Sequence, residues 1–480
     1  MPEHPPSIES LMAKAGEMVI PVTDPAFRQA VQEATDRHLH WDKLKFIARG
    51  RGCNPESVWF SVKLARFGQY RQLPLRGAVG KSLVYMHTDR MLRHLMLIDQ
   101  ELAGRVVSDG PSSVHIEPQQ SEQYILGVLR DEAIASSMLE GASTTRAVAR
   151  KMLRSGRRPR TLGEWMVYNN YQAIQFIREH KRTDLSPEFL LQLQRLLTEN
   201  TLGEDDQVGR LRVDADNVQV IDRATGEILH EPPPASELPA RMRVLCDFAN
   251  APQSDKGKFI HPVLKACILH FQIGFDHPFC DGNGRTARAL FYWYMLRSGY
   301  WLFEYLPISK FIYKSPVKYG KSYLYTETDD FDVTYFLHYH MDVIGKARTE
   351  LGEHLRRRQE RAMEARRLLT NDPTLNIRQQ ELLLESARHP SRVFTVEEHQ
   401  LKHGVSYETA RKDLLTLADG DYLEKRKEGK KWVFIPGERM NEVDVGQPRQ
   451  MKRKARRFSQ LPSAQPLSPP DTPSGGLPDS

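Results

Sequence analysis

The sequence predicts a mainly α-helical protein with one small β-hairpin near its middle and a separate helix–turn–helix unit towards its C-terminus. Three observations carry this. Apolar residues recur at three- and four-residue steps through most of the first 370 positions. Between Gly209 and Ile228 the texture changes: Val213, Val218, Val220 and Ile221 sit among Asp214, Asp216, Asn217, Asp222 and Gly226, which suggests short strands with turns. From Phe394 to Leu417 a short helix, a turn at Gly404, Ser406 as N-cap and a second helix follow one another at helix–turn–helix spacing.

The 480 residues suffice for several domains, each with its own core, and 40% hydrophobic with 27% charged residues fits a globular chain. No apolar run reaches the roughly 18 residues a membrane span needs, so no membrane partner is expected. The N-terminus lacks a basic segment followed by an apolar one, and no secretory signal is read. Cys53, Cys246, Cys267 and Cys280 form no C-x-x-C pair, which fits reduced thiols and a cytoplasmic location. The net charge of +7 is modest for this length, so where it concentrates matters more than its size.

In chain order, residues 1–23 are Pro-rich and polar and read as a flexible lead-in. Residues 24–115 read as a helical accessory domain: Leu83, Met86, Leu92, Leu95 and Ile98 keep a helical step, with Gly52, Pro74 and Gly77 punctuating. Arg51, Arg66, Arg71 and Arg76 within it read as a solvated face rather than an anion surface. A main domain spans 116–350. It opens with an amphipathic helix over 119–141 (Ile125, Val128, Leu129, Ile134) ended by Gly141. A basic stretch from Thr144 to Arg160 reads as a solvated helix face, with nucleic acid as the other reading. Ser186-Pro187-Glu188 supplies an N-cap, a proline at N1 and an early acid. After the hairpin, helices resume at Ser236 and His261. Residues 351–376 form a charged helical connector, and 377–437 hold the helix–turn–helix with alternating strands at 422–427 and 431–435. The tail, 438–480, is disordered by composition, with a basic run from Lys452 to Arg457.

The chemistry concentrates in His277 to Arg288, H-P-F-C-D-G-N-G-R-T-A-R. Gly282, Asn283 and Gly284 tolerate positive φ, so their amides can form an anion-binding nest at the start of a helix, whose dipole favours negative charge. Arg285 and Arg288, three apart, share a face where guanidinium forks grip phosphate oxygens. Asp281 is a hard ligand suited to Mg²⁺. His277 can accept a proton from a hydroxyl near neutral pH. Cys280 reads as packing. Base, metal ligand, nest and paired arginines in twelve residues make a nucleotide-phosphate site.

The full pattern H-P-F-x-D-G-N-G-R-x-x-R resembles the signature of the Fic family, and Ser136, Glu140 and Gly141 match the S-x-x-x-E-G of the inhibitory helix in one Fic class. The resemblance covers about residues 120–345. It implies a helical Fic-type catalytic domain and a protein adenylyltransferase that moves AMP from ATP onto a Ser, Thr or Tyr hydroxyl of a target protein, with Mg²⁺. His277 would be the base, and Asn283 and the nest amides would hold the α-phosphate. Arg285 and Arg288 would take the β- and γ-phosphates, Asp281 the metal, and Phe279 would lie beneath the loop. Glu140, with Ser136 beside it, would compete for Arg288. A flap at Asn217, Val218, Gln219 and Val220 would hold the target as an added strand, and Tyr313, Tyr319 or Tyr323 would lie near the base. Some family members instead remove AMP or transfer another phosphate-containing group. Residues 377–437 resemble a winged helix. Its Arg411, Lys412, Arg426, Lys427, Lys430 and Lys431 suit DNA phosphates, with contacts to a second copy of the chain or to the target as alternatives. A DNA-binding transcription regulator with the nucleotide site as its sensor is the rival function.

Overall fold

The computed structural model describes the chain except residues 1, 15–19, 79, 103–117, 204, 223–224, 253–258, 371–373, 389–391, 429–430 and 438–480. The backbone alone is described at 118–125, 205, 305, 355, 358–359, 361–370, 388, 428 and 431. The basic tail and Lys430 therefore lie outside the described residues, as do the side chains of Ile125 and Lys431. The fold is mainly helical with small antiparallel strand pairs, and the chain divides into two compact units, residues 1–358 and 359–480.

The first unit begins with α1 (Ile8–Ala13), α2 (Pro25–Asp36), α3 (Trp41–Gly50) and α4 (Pro55–Phe67). Asp24 and Asn54 cap α2 and α4 from just before a proline at the first helical position, as that asymmetry favours. Phe27, Leu44, Trp59 and Val62 give these helices a core of their own. The expectation of an all-helical accessory domain needs correcting at the next step. Residues 71–85 form a hairpin, β1 (Arg71–Arg76) and β2 (Ser82–Tyr85), because Leu73 and Leu75, then Leu83 and Tyr85, bury alternate positions. Leu83 thus belongs to a strand, and the helix that follows, α5 (Asp89–Leu102), carries Leu95 and Ile98 inward with Leu92 exposed. Hairpin and α5 share one core with the helices that follow them. Arg66 is wholly buried rather than solvated, donating to the Tyr335 hydroxyl and the Leu39 carbonyl.

That shared core continues through α6 (Pro118–Leu139), skips α7 (Arg146–Ser155), whose Ala149 and Met152 join a small cluster with Ile134 and Val167, and resumes in α8 (Leu162–Glu179) and α9 (Pro187–Thr198), which Ser186 caps. A two-stranded pair follows, β3 (Val220–Ile221) with β4 (Ile228–His230). Then come α10 (Leu238–Asn250), α11 (Pro262–Asp276), α12 (Asn283–Arg297), α13 (Ile308–Tyr313), α14 (Pro316–Thr328) and α15 (Thr334–Thr370), whose residues up to Arg358 belong to this unit. Helices α11 and α12 are buried nearly all round, α11 with a largely apolar surface and α12 with Asn283, Arg285 and Arg288 buried in its first turns, and they form the centre of the unit.

The second unit contains α16 (Ile377–Arg388), α17 (Val396–His403) and α18 (Tyr407–Asp419), then a hairpin of β5 (Leu423–Glu428) and β6 (Lys431–Pro436) in unbroken register. Gly404 at φ +60° ends α17, and the Ser406 hydroxyl accepts the Thr409 N–H to start α18. Leu383, Leu414, Leu417 and Phe434 centre its separate core. No helix among the described residues is long and apolar enough to cross a membrane, and the four cysteines are free.

Candidate active site

The site is built where α11 stops and α12 starts. His277 takes a left-handed conformation, φ +44°, as C-cap of α11, and its N–H still reaches the Ile273 carbonyl at 3.1 Å. Five residues on, Gly282 at φ +84° turns the chain into α12. Between them Phe279 is fully buried. The Asn283 side chain closes the turn: its Oδ1 accepts from Phe279 N at 3.0 Å and its Nδ2 donates to Phe279 O at 2.8 Å. Gln194, buried on α9, donates to the Asp281 carbonyl at 3.3 Å and braces the loop from outside.

His277 has the geometry of a base. Its Nδ1 lies 2.8 Å from the Gly274 carbonyl, a contact only an Nδ1–H can make, which leaves the Nε2 lone pair free to accept a proton. Burial lowers the imidazole pKa to about 4, so the ring is neutral at pH 7. The Arg212 Nε donates to the His277 carbonyl at 2.7 Å, and the Arg212 N–H to the Pro278 carbonyl at 2.9 Å. Two anchors therefore hold a strained left-handed residue in place.

Opposite His277 the first turn of α12 presents amides with no intrahelical acceptor. The Glu140 carboxylate lies directly on that turn: a Cβ at Gly284 would fall 2.2 Å from Glu140 Oε1, so a side chain there would displace the carboxylate. Glu140 also accepts from Arg288 Nη2 at 2.8 Å. Burial pushes the Glu140 carboxyl up, but the Arg288 guanidinium outweighs it and holds the group below the ordinary carboxylate value. Ser136 holds the other side of the same fork, its Oγ accepting from Arg288 Nε at 2.9 Å and its carbonyl from Nη2 at 3.0 Å. Arg288 Nη1 is buried with no hydrogen-bond partner among the described residues, and it lies 3.1 Å from that same Gly284 Cβ position. One donor thus remains for an anion at the helix start.

Other expected residues are placed differently. Of the presumed nest, only Gly282 has positive φ; Asn283 and Gly284 already belong to the helix. Arg285 is held by partners different from those of Arg288. Fully buried, it donates to the Leu197 carbonyl at 2.7 Å and to Asp281 Oδ2 at 2.6 Å, because α9 leaves a bare C-terminal carbonyl there. Asp281 keeps its other oxygen towards solvent, with 45% of the side chain exposed. The flap is shorter than expected. Arg210 grips Asp216 with both amino groups at 2.8 and 3.0 Å, and Asp216 accepts from Val213 N. That turns 214–216 into a 3₁₀ turn ending in Asn217 at φ +47°. Of Asn217, Val218, Gln219 and Val220, only Val220 pairs as a strand, with His230. Tyr319 and Tyr323 are hydroxyl-to-hydroxyl at 3.2 Å, with Tyr319 also on His270 at 2.8 Å, whereas Tyr313 is exposed with Arg146 over its ring.

Sequence reasoning missed Arg212, Gln194 and the pair Arg241–Asp276, whose Nε–Oδ1 distance is 2.7 Å just before His277. Each contact joins residues far apart in sequence and leaves no local signal.

Residues 184–295 match the model of the Fic/DOC family. The protein adenylyltransferase Fic of Drosophila willistoni is 38% identical over 71 residues, 15% of this chain and 14% of that protein. The Fic adenylyltransferase of Nematostella vectensis is 25% identical over 232 residues, covering 46% of this chain and 50% of that protein. The chain thus spans at most half the length of these two curated relatives. A Fic family protein from Desulfovibrio desulfuricans G20 aligns over 73% of this chain and 97% of its own at 20% identity, with a TM-score of 0.46.

Proposed function

We propose that this chain is a protein adenylyltransferase, moving AMP from ATP to a Ser, Thr or Tyr hydroxyl of a target protein, and that Glu140 restrains it. The observation that carries this is the opposition, across one turn, of a neutral imidazole with a free Nε2 and a helix start occupied by a carboxylate on a buried arginine. The family match over 184–295 and the adenylyltransferase names of the relatives support the same reading.

In this reading His277 Nε2 takes the acceptor proton while the hydroxyl oxygen attacks the α-phosphorus. The bond from that phosphorus to the bridging oxygen breaks, and pyrophosphate leaves. The amides of the first turn of α12 stabilise charge on the phosphate oxygens, and Arg288, released by Glu140, binds the terminal phosphate through the fork that Ser136 orients. Arg285 acts indirectly, fixing Asp281 and the end of α9. Mg²⁺ usually takes one or two carboxylates plus nucleotide phosphates, and the exposed oxygen of Asp281 fits that role. Such an ion would neutralise leaving-group charge. Val220 and the exposed Ile221 offer a short edge for an extended target segment.

The test is incubation with α-labelled ATP and a lysate: label on protein, increased in Glu140→Gly and absent in His277→Ala. Label that survives His277→Ala overturns the assignment of the base.

The regulator reading draws on exposed Tyr407, Arg411 and Lys412 on α18 and on Lys425 and Lys427 around Trp432 of the hairpin. It is weakened because Glu408 neutralises Arg411 at 3.0 Å and Glu424 neutralises Arg426 at 2.8 Å. A gel shift on mixed duplex DNA at moderate salt separates the two, and absence of binding removes the regulator.

A further inference from the structure

Residues 38–85 reach the end of α11 by two routes. In the first, Arg241 on α10 donates to Asp276 at 2.7 Å while its Nη2 donates to the carbonyls of Arg76 at 2.6 Å and Gly77 at 3.1 Å. Gln272 Nε2 repeats the link, to Arg76 O at 3.0 Å and Asp276 Oδ1 at 2.8 Å. The end of β1 is thereby tied to the residue before His277. The second route runs through the turn between α14 and α15. Asp330 and Phe331 sit at φ +54° and +58°, left-handed positions that cost of order 1–3 kcal/mol each unless the surroundings impose them. The surroundings do. Lys63 donates to Asp329 at 2.7 Å, Tyr70 to Asp332 at 3.0 Å, and His38 lies 2.8 Å from Asp332. Strand β2 adds the Val84 N–H to the Phe331 carbonyl at 3.1 Å and takes the Val333 N–H at 2.9 Å. So imposed, the Phe331 ring stands edge-on to Phe275 at 5.7 Å, two residues before His277. The ring lies under Gly77, where a Cβ would come within 2.4 Å of it.

We infer that the N-terminal helices and hairpin position the base: Gly77 and Phe331 through Phe275, and Arg241 through Asp276, set where the His277 ring points. This rests on the transferase reading for its kinetic form, though not for its geometry. The region's carbonyls at Arg76 and Gly77 accept from the side chain that holds Asp276, and its buried donors fix the turn that sets Phe331 against Phe275, so both routes end on the two residues that precede the cap. Gly77, Phe331 and Arg241 are positioning residues, since none touches the reacting atoms.

The test uses the full chain carrying Glu140→Gly as parent. Adding Gly77→Ala drives a methyl into the Phe331 ring and, through it, Phe275. Misplacing a catalytic group by about 1 Å costs on the order of a hundredfold, so kcat should fall by about ten- to a hundredfold. KM for ATP should stay within about threefold, because the phosphate-binding start of α12 is untouched. Phe331→Leu in the same chain makes room for the methyl and should recover most of the lost rate. A second readout needs no turnover: the rate at which diethyl pyrocarbonate modifies His277, followed by peptide mass spectrometry, should change in Gly77→Ala and return in the double variant. If Gly77→Ala yields no folded protein, Arg241→Lys carries the same two expectations, keeping a cation beside Asp276 while giving up Arg76 and Gly77. An unchanged kcat with unchanged modification overturns the inference, as does a loss matched by KM and not recovered by Phe331→Leu. A parent without His277-dependent label would count against the transferase reading, and the modification rate alone would then decide the positioning.

Discussion

His277 occupies a backbone position where glycine is usual, and the site's chemistry starts from that choice. The left-handed cap turns its side chain back onto α11, where Nδ1–H finds the Gly274 carbonyl and the tautomer is set. Burial depresses its pKa to about 4, so the proton-accepting form persists down to that value and is lost as pH falls through it. In the Glu140→Gly chain, kcat/KM for labelling should therefore keep its acid limb near pH 4 rather than near 6.5, followed where circular dichroism reports folded protein. Glu140 gives a second expectation. Arg288 holds its carboxyl below the ordinary value, so the restraining pair persists above the ordinary carboxylate range and breaks only as pH falls through the depressed value. Mild acid should not release activity, whereas Glu140→Gly should. A hydrogen bond to a charged group contributes about 1.5–3 kcal/mol, so ATP affinity by calorimetry should rise by about ten- to a hundredfold. The placement of His277, the burial of Phe279 and the Glu140–Arg288 pair were legible because motif residues specify local geometry. The diversion of Arg285 was not, since it depends on where α9 happens to leave an unpaired carbonyl 88 residues away.

Among elements, α6 decides how firmly Glu140 is presented. Glu132 is fully enclosed and accepts from Ser309 N at 2.9 Å and from the Ser309 hydroxyl, joining α6 to α13. Ser137 donates to the Met166 carbonyl at 3.0 Å, and Asn170 on α8 donates to Ala133 O and Ser137. Glu132→Ala leaves a buried N–H unsatisfied, costing about 1–3 kcal/mol, and loosens the helix carrying Glu140. The melting temperature should fall by a few degrees while basal labelling rises, and unchanged labelling at a lower melting temperature would show that α6 does not transmit the restraint. Elements were read from sequence where periodicity was long. The hairpin β1–β2 was missed because Pro74 sits between Leu73 and Leu75 and reads as punctuation, although the two leucines alternate as a strand requires. The flap was over-extended for the opposite reason: alternating valines suggested a strand, but Arg210 and Asp216 close a turn within them.

At the scale of the whole chain, apolar residues collect in separate cores, one set within residues 1–358 and one centred on Leu383, Leu414 and Phe434 in the second unit. Units with their own cores need not unfold together, and a ligand stabilises only the unit that binds it. The proposed nucleotide site lies wholly within the first unit, since His277, Arg288 and Glu140 all do. Scanning calorimetry of the Glu140→Gly chain should therefore resolve two transitions. ATP with Mg²⁺ at a hundred times its dissociation constant adds about 2.7 kcal/mol to the unit that holds it. Only one transition should move, and by less when Glu140 is present, because the carboxylate must first be displaced. A chain in which ATP shifts both transitions equally would mean that the second unit senses the nucleotide, which is what the regulator reading requires and the transferase reading does not.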